Sequence, residues 1–179
     1  LGLGFFTYLM TRIGKQAPAW VAAPEIVLAL SLYRGLACYG EIPHGAFFLC
    51  LTGLICALTD IFAYLVGSRF GRHKLAPKVS PGKSIEGALG GLGITVVLIV
   101  LVFGRFFDDI GTLVLYTAVV SILGQFGDLS MSAVKRVAGV KDFGHIFPGH
   151  GGILDRCDSL MYPLAFTWLL YCAQSWIFV

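Results

Sequence analysis

The decisive stretch of the sequence is residues 127–158, GDLSMSAVKRVAGVKDFGHIFPGHGGILDRCD. It is rich in Asp, Lys, Arg and His, yet it lies between two apolar segments that each look long enough to cross a membrane. Charged side chains are costly at membrane depth, so a dense charged segment there indicates a functional site.

Helix geometry places three polar side chains of this stretch on one face. Residues 127–138 favour a helix, in which Asp128, Ser132 and Lys135 stand at i, i+4 and i+7. A carboxylate, a hydroxyl and an ammonium on one face suit a divalent cation together with a phosphate, because Mg²⁺ takes oxygen ligands and shares them with substrate phosphates. We therefore predict Asp128 and Ser132 as metal ligands and Asp128 and Lys135 as catalytic residues.

The second half of the stretch contains a glycine-rich turn at residues 148–152, PGHGG, whose backbone can approach a ligand closely. A helix is predicted to follow, and its N-terminal N–H groups would face the turn and favour phosphate. Asp155 and Asp158, at i and i+3, can converge on a second metal position. His150 is predicted to donate a hydrogen bond to phosphate and not to act as a proton shuttle. A phosphate monoester is already mostly ionised at pH 7, so it needs no strong base.

Composition predicts an integral membrane protein. Of the 179 residues, 57% are hydrophobic and 13% are charged, whereas soluble domains are about 45–50% apolar and about 25% charged. The net charge of +3 is too small to indicate nucleic-acid binding. The predicted fold is an all-α polytopic membrane helical bundle, with about five transmembrane helices, a helix fragment and active-site loops that face the cytoplasm. The helix fragment is expected at residues 1–10 and the spans at 24–39, 45–66, 87–104, 111–127 and 159–178.

A polar loop at residues 67–86 contains a second motif, SPGKSIEG, at residues 80–87. Ser80, Lys83 and Ser84 can cradle a phosphate, and Glu86 opens the next helix near its positive end. The loop is not a Walker A motif, because the first glycine of that motif is replaced by Pro77.

Asp60, in the last third of a predicted span, has two interpretations that the sequence leaves open. It is either a buried residue that pairs with a neighbouring helix or an acid that faces a ligand. The glycines of residues 87–93, GALGGLG, suit close helix packing. Asp108 and Asp109 are interpreted as a solvated turn at the far face.

The distribution of positive charge predicts orientation. Eleven of the thirteen Lys and Arg residues fall near residues 12–15, 69–83 and 135–156. The positive-inside rule then places both motif regions at the cytoplasmic face, and hence on one surface.

Two ordered motifs resemble those of the phosphatidate cytidylyltransferase (CDP-diacylglycerol synthase) family. The first consists of Ser132, Arg136, Lys141-Asp142-Phe143-Gly144, residues 148–152, Asp155-Arg156 and Asp158; the second consists of Asp60, Ala63-Tyr64, Gly67, Ser80-Pro81, Lys83-Ser84 and Glu86-Gly87. The resemblance covers essentially the whole chain, as the C-terminal two-thirds of a typical member. Met131 departs from the family, which often has Glu there, and Ile61-Phe62 replaces a small or polar pair; the face of Asp128, Ser132 and Lys135 is intact.

The resemblance implies the condensation of CTP with phosphatidic acid to CDP-diacylglycerol and pyrophosphate, in phospholipid biosynthesis. It implies one integral-membrane catalytic domain over residues 1–179, without the family's N-terminal helices, in the cell inner membrane with its active site facing the cytoplasm. Mg²⁺ is expected at two cation positions on Asp128, Asp155, Asp158 and Ser132, with Lys135 and His150 also catalytic. The expected substrate-binding residues are Asp60, Ser80, Lys83, Ser84, Glu86, Lys141, Asp142, Gly151, Gly152 and Arg156. The expected partners are CTP, phosphatidic acid in the bilayer and a second copy of the chain in a homodimer, with no nucleic acid.

The sequence leaves three alternatives open. A CTP-dependent polyprenol or phytol kinase has a similar C-terminal site but transfers the γ-phosphate to an alcohol, and the SPGKSIEG motif argues against it. An ion-coupled transporter could use Asp60, Asp128 and Asp155 as an ion path, although these acids cluster at one face. A chain without the N-terminal helices could also be inactive by itself.

Overall fold

A computed structural model of the chain describes residues 45–77, 79–137 and 159–177. The elements of this part, in chain order, are α1 (Gly45–Phe70), β1 (Lys74–Ala76), β2 (Ser80–Ser84), α2 (Ile85–Phe103), a short 3₁₀ turn (Gly104–Phe106), α3 (Ile110–Val137) and α4 (Met161–Ile177). The predicted helix fragment at residues 1–10 and the predicted span at residues 24–39 lie outside the described residues.

Three of these helices are long and apolar enough to cross a membrane, namely α1, α2 together with the 3₁₀ turn, and α3. Helix α4 contributes a shorter apolar segment, Met161–Leu170. The described architecture is therefore that of an all-α polytopic membrane protein, as the composition predicted.

Helix α3 is longer than the predicted span of residues 111–127, because it continues without a break to Val137. No proline interrupts this segment, and most of its residues favour a helix. The predicted polar face at Asp128 is thus the end of a membrane helix, which fixes it rigidly to the span.

A β-hairpin in the segment predicted as a loop is a departure from the sequence-based expectation. Strands β1 and β2 pair antiparallel, with Lys74 opposite Ser84 and Ala76 opposite Ser80. Residues 74–84 lack the alternation of apolar and polar side chains that signals a strand, and β2 contains Pro81, which a strand tolerates only at a sheet edge. Both strands of a two-stranded sheet are edge strands, so β2 can contain Pro81. The sequence pattern nevertheless does not predict these strands.

Glycines bring α1 and α2 into close contact, as the GALGGLG segment predicted. A Cβ atom on Gly87 would lie 2.6 Å from the carbonyl oxygen of Ala63, and one on Gly91 would lie 2.8 Å from the carbonyl oxygen of Thr59. These distances leave no room for a side chain, so the two backbones touch over this length. Small residues are the usual means of such packing between membrane helices.

Buried hydroxyl groups connect the helices across the apolar core. The Thr59 hydroxyl donates to Ser121 Oγ of α3 at 3.0 Å, and the hydroxyls of Thr52 and Tyr116 lie 2.6 Å apart. Tyr116 also lies 3.2 Å from Thr167 Oγ1 of α4. Interhelical hydrogen bonds of this kind supplement packing where lipid supplies no hydrophobic driving force between helices. The described core around them is formed by Leu51, Ile55, Cys56, Ile99, Leu113 and Val120.

Candidate functional site

The site is built on the joint between the end of α1, the hairpin and the start of α2. Ser84 caps α2, and its buried hydroxyl accepts a hydrogen bond from the Gly87 backbone N–H at 3.1 Å. Cβ atoms placed on Gly67 and Gly71 would lie 2.8 Å and 2.6 Å from this hydroxyl oxygen. The glycines therefore allow the end of α1 to close around Ser84, which fixes the direction in which β2 enters α2.

Glu86 fastens the other side of this joint. Its carboxylate accepts hydrogen bonds from the backbone N–H groups of Arg72 and His73 at 3.2 Å and lies 2.6 Å from His73 Nδ1. Glu86 is not among the described residues that line the pocket below. Its described contacts are therefore with the protein itself, whereas the sequence predicted a contact with substrate.

Lys83 connects the hairpin to α3. Its ammonium forms an ion pair with a carboxylate oxygen of Asp128, and the two side chains are 26% and 28% exposed. Arg136 makes a second connection, because its Nε donates to the carbonyl oxygen of Val79 at 3.3 Å. The motif regions that charge distribution assigned to one surface thus meet in the structure, although 45 residues of sequence separate Lys83 from Asp128.

A pocket of about 450 Å³ opens where these parts meet. Its polar wall contains five of the predicted site residues: Asp60, Ser80, Lys83, Ser84 and Asp128. Its apolar wall comes from α1, β1 and α2, through Ala63, Tyr64, Leu75 and Ala88. A cavity with two carboxylates, an ammonium and hydroxyls beside an apolar wall can bind a polar anionic group and an apolar group together. Asp60 lies in this wall, and both interpretations of its role remain predictions.

The predicted polar face of α3 is present, but its three side chains differ in burial and in whether they line the pocket. Ser132 is half-buried and Lys135 is buried, with a relative exposure of 9%. Neither of them is among the described residues that line the pocket, whereas Asp128 is. Their predicted metal-binding and catalytic roles remain predictions.

Much of the predicted site lies outside the described residues. This group consists of Lys141, Asp142, His150, Gly151, Gly152, Asp155, Arg156 and Asp158. Within residues 45–77, 79–137 and 159–177, no three His, Cys, Asp or Glu side chains lie close enough together to hold a metal ion. The donors that line the pocket, Asp60, Asp128 and Ser80, are nevertheless hard oxygen ligands, which suit Mg²⁺ shared with a substrate phosphate.

Gln125, which is not among the predicted site residues, also lines the pocket. Its amide donates to the carbonyl oxygen of Ala88 at 3.3 Å and so connects α3 to α2. A signal was available, because Gln125 is a polar residue in an apolar span and stands three residues before Asp128 on the same helical face.

Met131, which departs from the related family, is 1% exposed and packs in the core of the described helices. An apolar side chain at this buried position needs no polar partner.

Known proteins resemble this chain over most of its length. The family model described as "Cytidylyltransferase family" matches residues 3–173. Relatives named "Phosphatidate cytidylyltransferase" include that of Staphylococcus haemolyticus, 47% identical over 169 residues, that of Staphylococcus aureus strain COL, 48% identical, and that of Staphylococcus saprophyticus, 37% identical. Each match covers 92% of this chain and 65% of the relative, so the chain spans about two-thirds of the length of these proteins. Because the family model covers nearly the whole chain, the protein belongs to the cytidylyltransferase family.

Proposed function

We propose that this chain forms the catalytic part of a phosphatidate cytidylyltransferase, which condenses CTP with phosphatidic acid to give CDP-diacylglycerol and pyrophosphate. The observation that supports this proposal most is the pocket in which Lys83 of the hairpin meets Asp128 of α3 at the end of a membrane helix. The relatives that carry the name match 92% of the chain at 47% and 48% identity.

The reaction requires little covalent chemistry from the protein. A phosphate oxygen of the lipid attacks the α-phosphorus of CTP, the bond from that phosphorus to the bridging oxygen breaks, and pyrophosphate leaves. The lipid phosphate is already mostly ionised, so no strong base is needed. Catalysis then depends on holding two polyanions in line and on neutralising their charge.

The residues around the pocket suit these tasks. Lys83 and Ser80 offer an ammonium and a hydroxyl to the phosphates of CTP, and Lys135 adds positive charge from α3. Within the turn at residues 148–152, His150 would donate a hydrogen bond to a phosphate. Lys141, Asp142 and Arg156 are proposed to complete substrate binding from the same region.

Mg²⁺ is the proposed cofactor, and Asp128 and Ser132 would hold it together with Asp155 and Asp158. When bound, the cation supplies positive charge that offsets the charge of the phosphates. EDTA should therefore abolish turnover and added Mg²⁺ should restore it, whereas activity that is indifferent to chelation would remove the metal from the proposal.

The membrane gives the site access to its lipid substrate. The spans α1, α2 and α3 place the pocket at the ends of membrane helices, where a phosphate headgroup could enter while the acyl chains stay in the bilayer. We place this end at the cytoplasmic face of the inner membrane, where nucleotides are available, because Lys and Arg concentrate there. The homodimer that the resemblance implies stays a prediction.

The test is incubation of the intact protein in detergent with CTP labelled at the α-phosphate, Mg²⁺ and phosphatidic acid, followed by extraction of the lipid. We expect label in the lipid that depends on both Mg²⁺ and phosphatidic acid. Label in the lipid only from γ-labelled CTP and a polyprenol would establish the kinase instead. Ion flux in proteoliposomes without any nucleotide would favour the transporter.

A further inference from the structure

We infer that Glu86 is a positioning residue, which holds the base of the hairpin so that Lys83 reaches the pocket, and that it does not itself bind substrate. The inference rests on the proposed function, because it assigns different tasks to the two ends of the SPGKSIEG motif. Ser80, Gly82, Lys83 and Ser84 line the pocket, and Glu86 fixes the segment that presents them.

The contacts of Glu86 join two places in the chain. Its two carboxylate oxygens accept from the N–H groups of Arg72 and His73 at 3.2 Å, and one of them lies 2.6 Å from His73 Nδ1. Arg72 and His73 directly precede β1, and Glu86 is the second residue of α2. A carboxylate offers about four lone-pair sites, and these donors use most of them.

The position of the hairpin depends on contacts such as those of Glu86. A two-stranded hairpin alone is at best marginally stable in water, so its position depends on contacts with the rest of the protein. The base of this hairpin is closed by the Ile85 N–H, which donates to the His73 carbonyl oxygen at 3.0 Å, and by the Glu86 carboxylate beside it. The residues between these points form the strands that place Ser80, Gly82 and Lys83 in the pocket wall.

The orientation of Glu86 separates it from the ligand side. Ser80, Lys83 and Ser84 line the pocket with Asp128, whereas Glu86 is not among the described lining residues. A carboxylate beside the phosphates of CTP would also repel them, unless a cation came between. The position of Glu86 outside the pocket lining and this repulsion both indicate that Glu86 affects substrate binding through Lys83.

The first experiment measures the hairpin without any substrate. Amide hydrogen exchange of residues 71–85, followed by mass spectrometry on the intact protein in detergent, should be about tenfold faster in Glu86→Ala, because the N–H groups of Arg72 and His73 lose their acceptor. Asp108→Ala, which removes an exposed acid at the far end of the helices, is the matched control and should leave this exchange unchanged.

The second experiment is a double-mutant cycle on CTP binding. Lys83→Ala should raise the Kd for CTP about tenfold or more, and Glu86→Ala should raise it several-fold in the parent protein. If Glu86 acts through Lys83, then Glu86→Ala should change the Kd by less than about twofold in the Lys83→Ala background.

Conservative variants separate a positioning role from general damage. His73→Asn retains a donor close to the place of Nδ1, so it should keep the parent Kd and exchange rate. His73→Leu lacks that donor and should shift both values in the direction of Glu86→Ala.

The outcomes are distinct. Faster exchange together with a non-additive cycle supports the inference. Additive effects on the Kd, or unchanged exchange in Glu86→Ala, would overturn it and return Glu86 to direct substrate contact. If the parent protein does not bind CTP, the proposed function fails, and the exchange experiment still decides whether Glu86 holds the hairpin.

Discussion

At the scale of single residues, Asp128 is the group on which the proposed chemistry depends most. It lines the pocket, pairs with Lys83 and is proposed to bind the metal. Asp128→Asn keeps the shape of the side chain but removes its charge, so we expect turnover to fall about 100-fold or more while the protein remains folded in detergent. The α-label assay measures the effect, and Asp108→Asn serves as the control. Parent-like activity in Asp128→Asn would contradict the assignment of Asp128.

A second prediction at this scale concerns Asp109, which caps the start of α3. Its carboxylate accepts from the N–H groups of Gly111 and Thr112 at 3.0 Å and 2.9 Å, and hydrogen bonds from Thr112 and Gly111 lower the pKa of this carboxyl below its ordinary value of 3.8. A lowered pKa in the folded state means that the stabilisation is present above pH 4 or so and is lost as the pH falls through the folded-state pKa.

Asp109→Ala should therefore lower the Tm by a few degrees at pH 7, because α3 loses its cap. The difference from the parent protein should shrink as the pH falls below the ordinary value of 3.8. Thermal unfolding in detergent at several pH values measures it, with Asp108→Ala as the neighbouring control. A difference that is independent of pH would show that the charge of Asp109 is not what stabilises the helix.

At the scale of elements, the contact between α1 and α2 depends on glycines of α2 that face α1. A Cβ atom on Gly91 would lie 2.8 Å from both the Ala63 backbone nitrogen and the Thr59 carbonyl oxygen, whereas a Cβ atom on Gly93 would meet nothing within 4 Å. Gly91→Ala should destabilise the protein by about 1–3 kcal/mol, since the backbones must separate.

Gly93→Ala is the matched control for this contact. It should be neutral or slightly stabilising, because alanine favours a helix more than glycine does. Thermal unfolding of both variants in one detergent gives the comparison. Equal stability of the two variants would show that α1 and α2 do not pack as closely as described.

At the scale of the whole molecule, the hairpin and the 3₁₀ turn lie at opposite ends of α2, which is long enough to span a membrane. The positive-inside rule predicts that the hairpin faces the cytoplasm. In Gly82→Cys, a membrane-impermeant thiol reagent should label the hairpin only in inverted membrane vesicles, and in Asp108→Cys it should label the opposite end only in right-side-out vesicles. Both positions are exposed. The reverse pattern would invert the proposed orientation and move the pocket away from nucleotides.

The sequence alone determined the membrane class, the spans of α1, α2 and α3, the shared helical face of Asp128 and Ser132, and the family. These features depend on contiguous residues, since the free energy of transferring a segment into lipid, helical periodicity and motif spacing can all be evaluated locally. The close packing at Gly87 and Gly91 was predictable for the same reason, because small residues in a membrane helix have few other uses.

Only the tertiary structure decided how the hairpin meets α3. The pairing of Lys74 with Ser84, the ion pair of Lys83 with Asp128 and the turn of Glu86 toward His73 depend on how α1, α2 and α3 pack. No local pattern specifies the distance between residues that are far apart in sequence, because that distance is set by helix packing and by the path of the chain between them. For the same reason no local pattern predicted that the Glu86 carboxylate would accept hydrogen bonds from Arg72 and His73, and its predicted role in substrate binding stays a prediction.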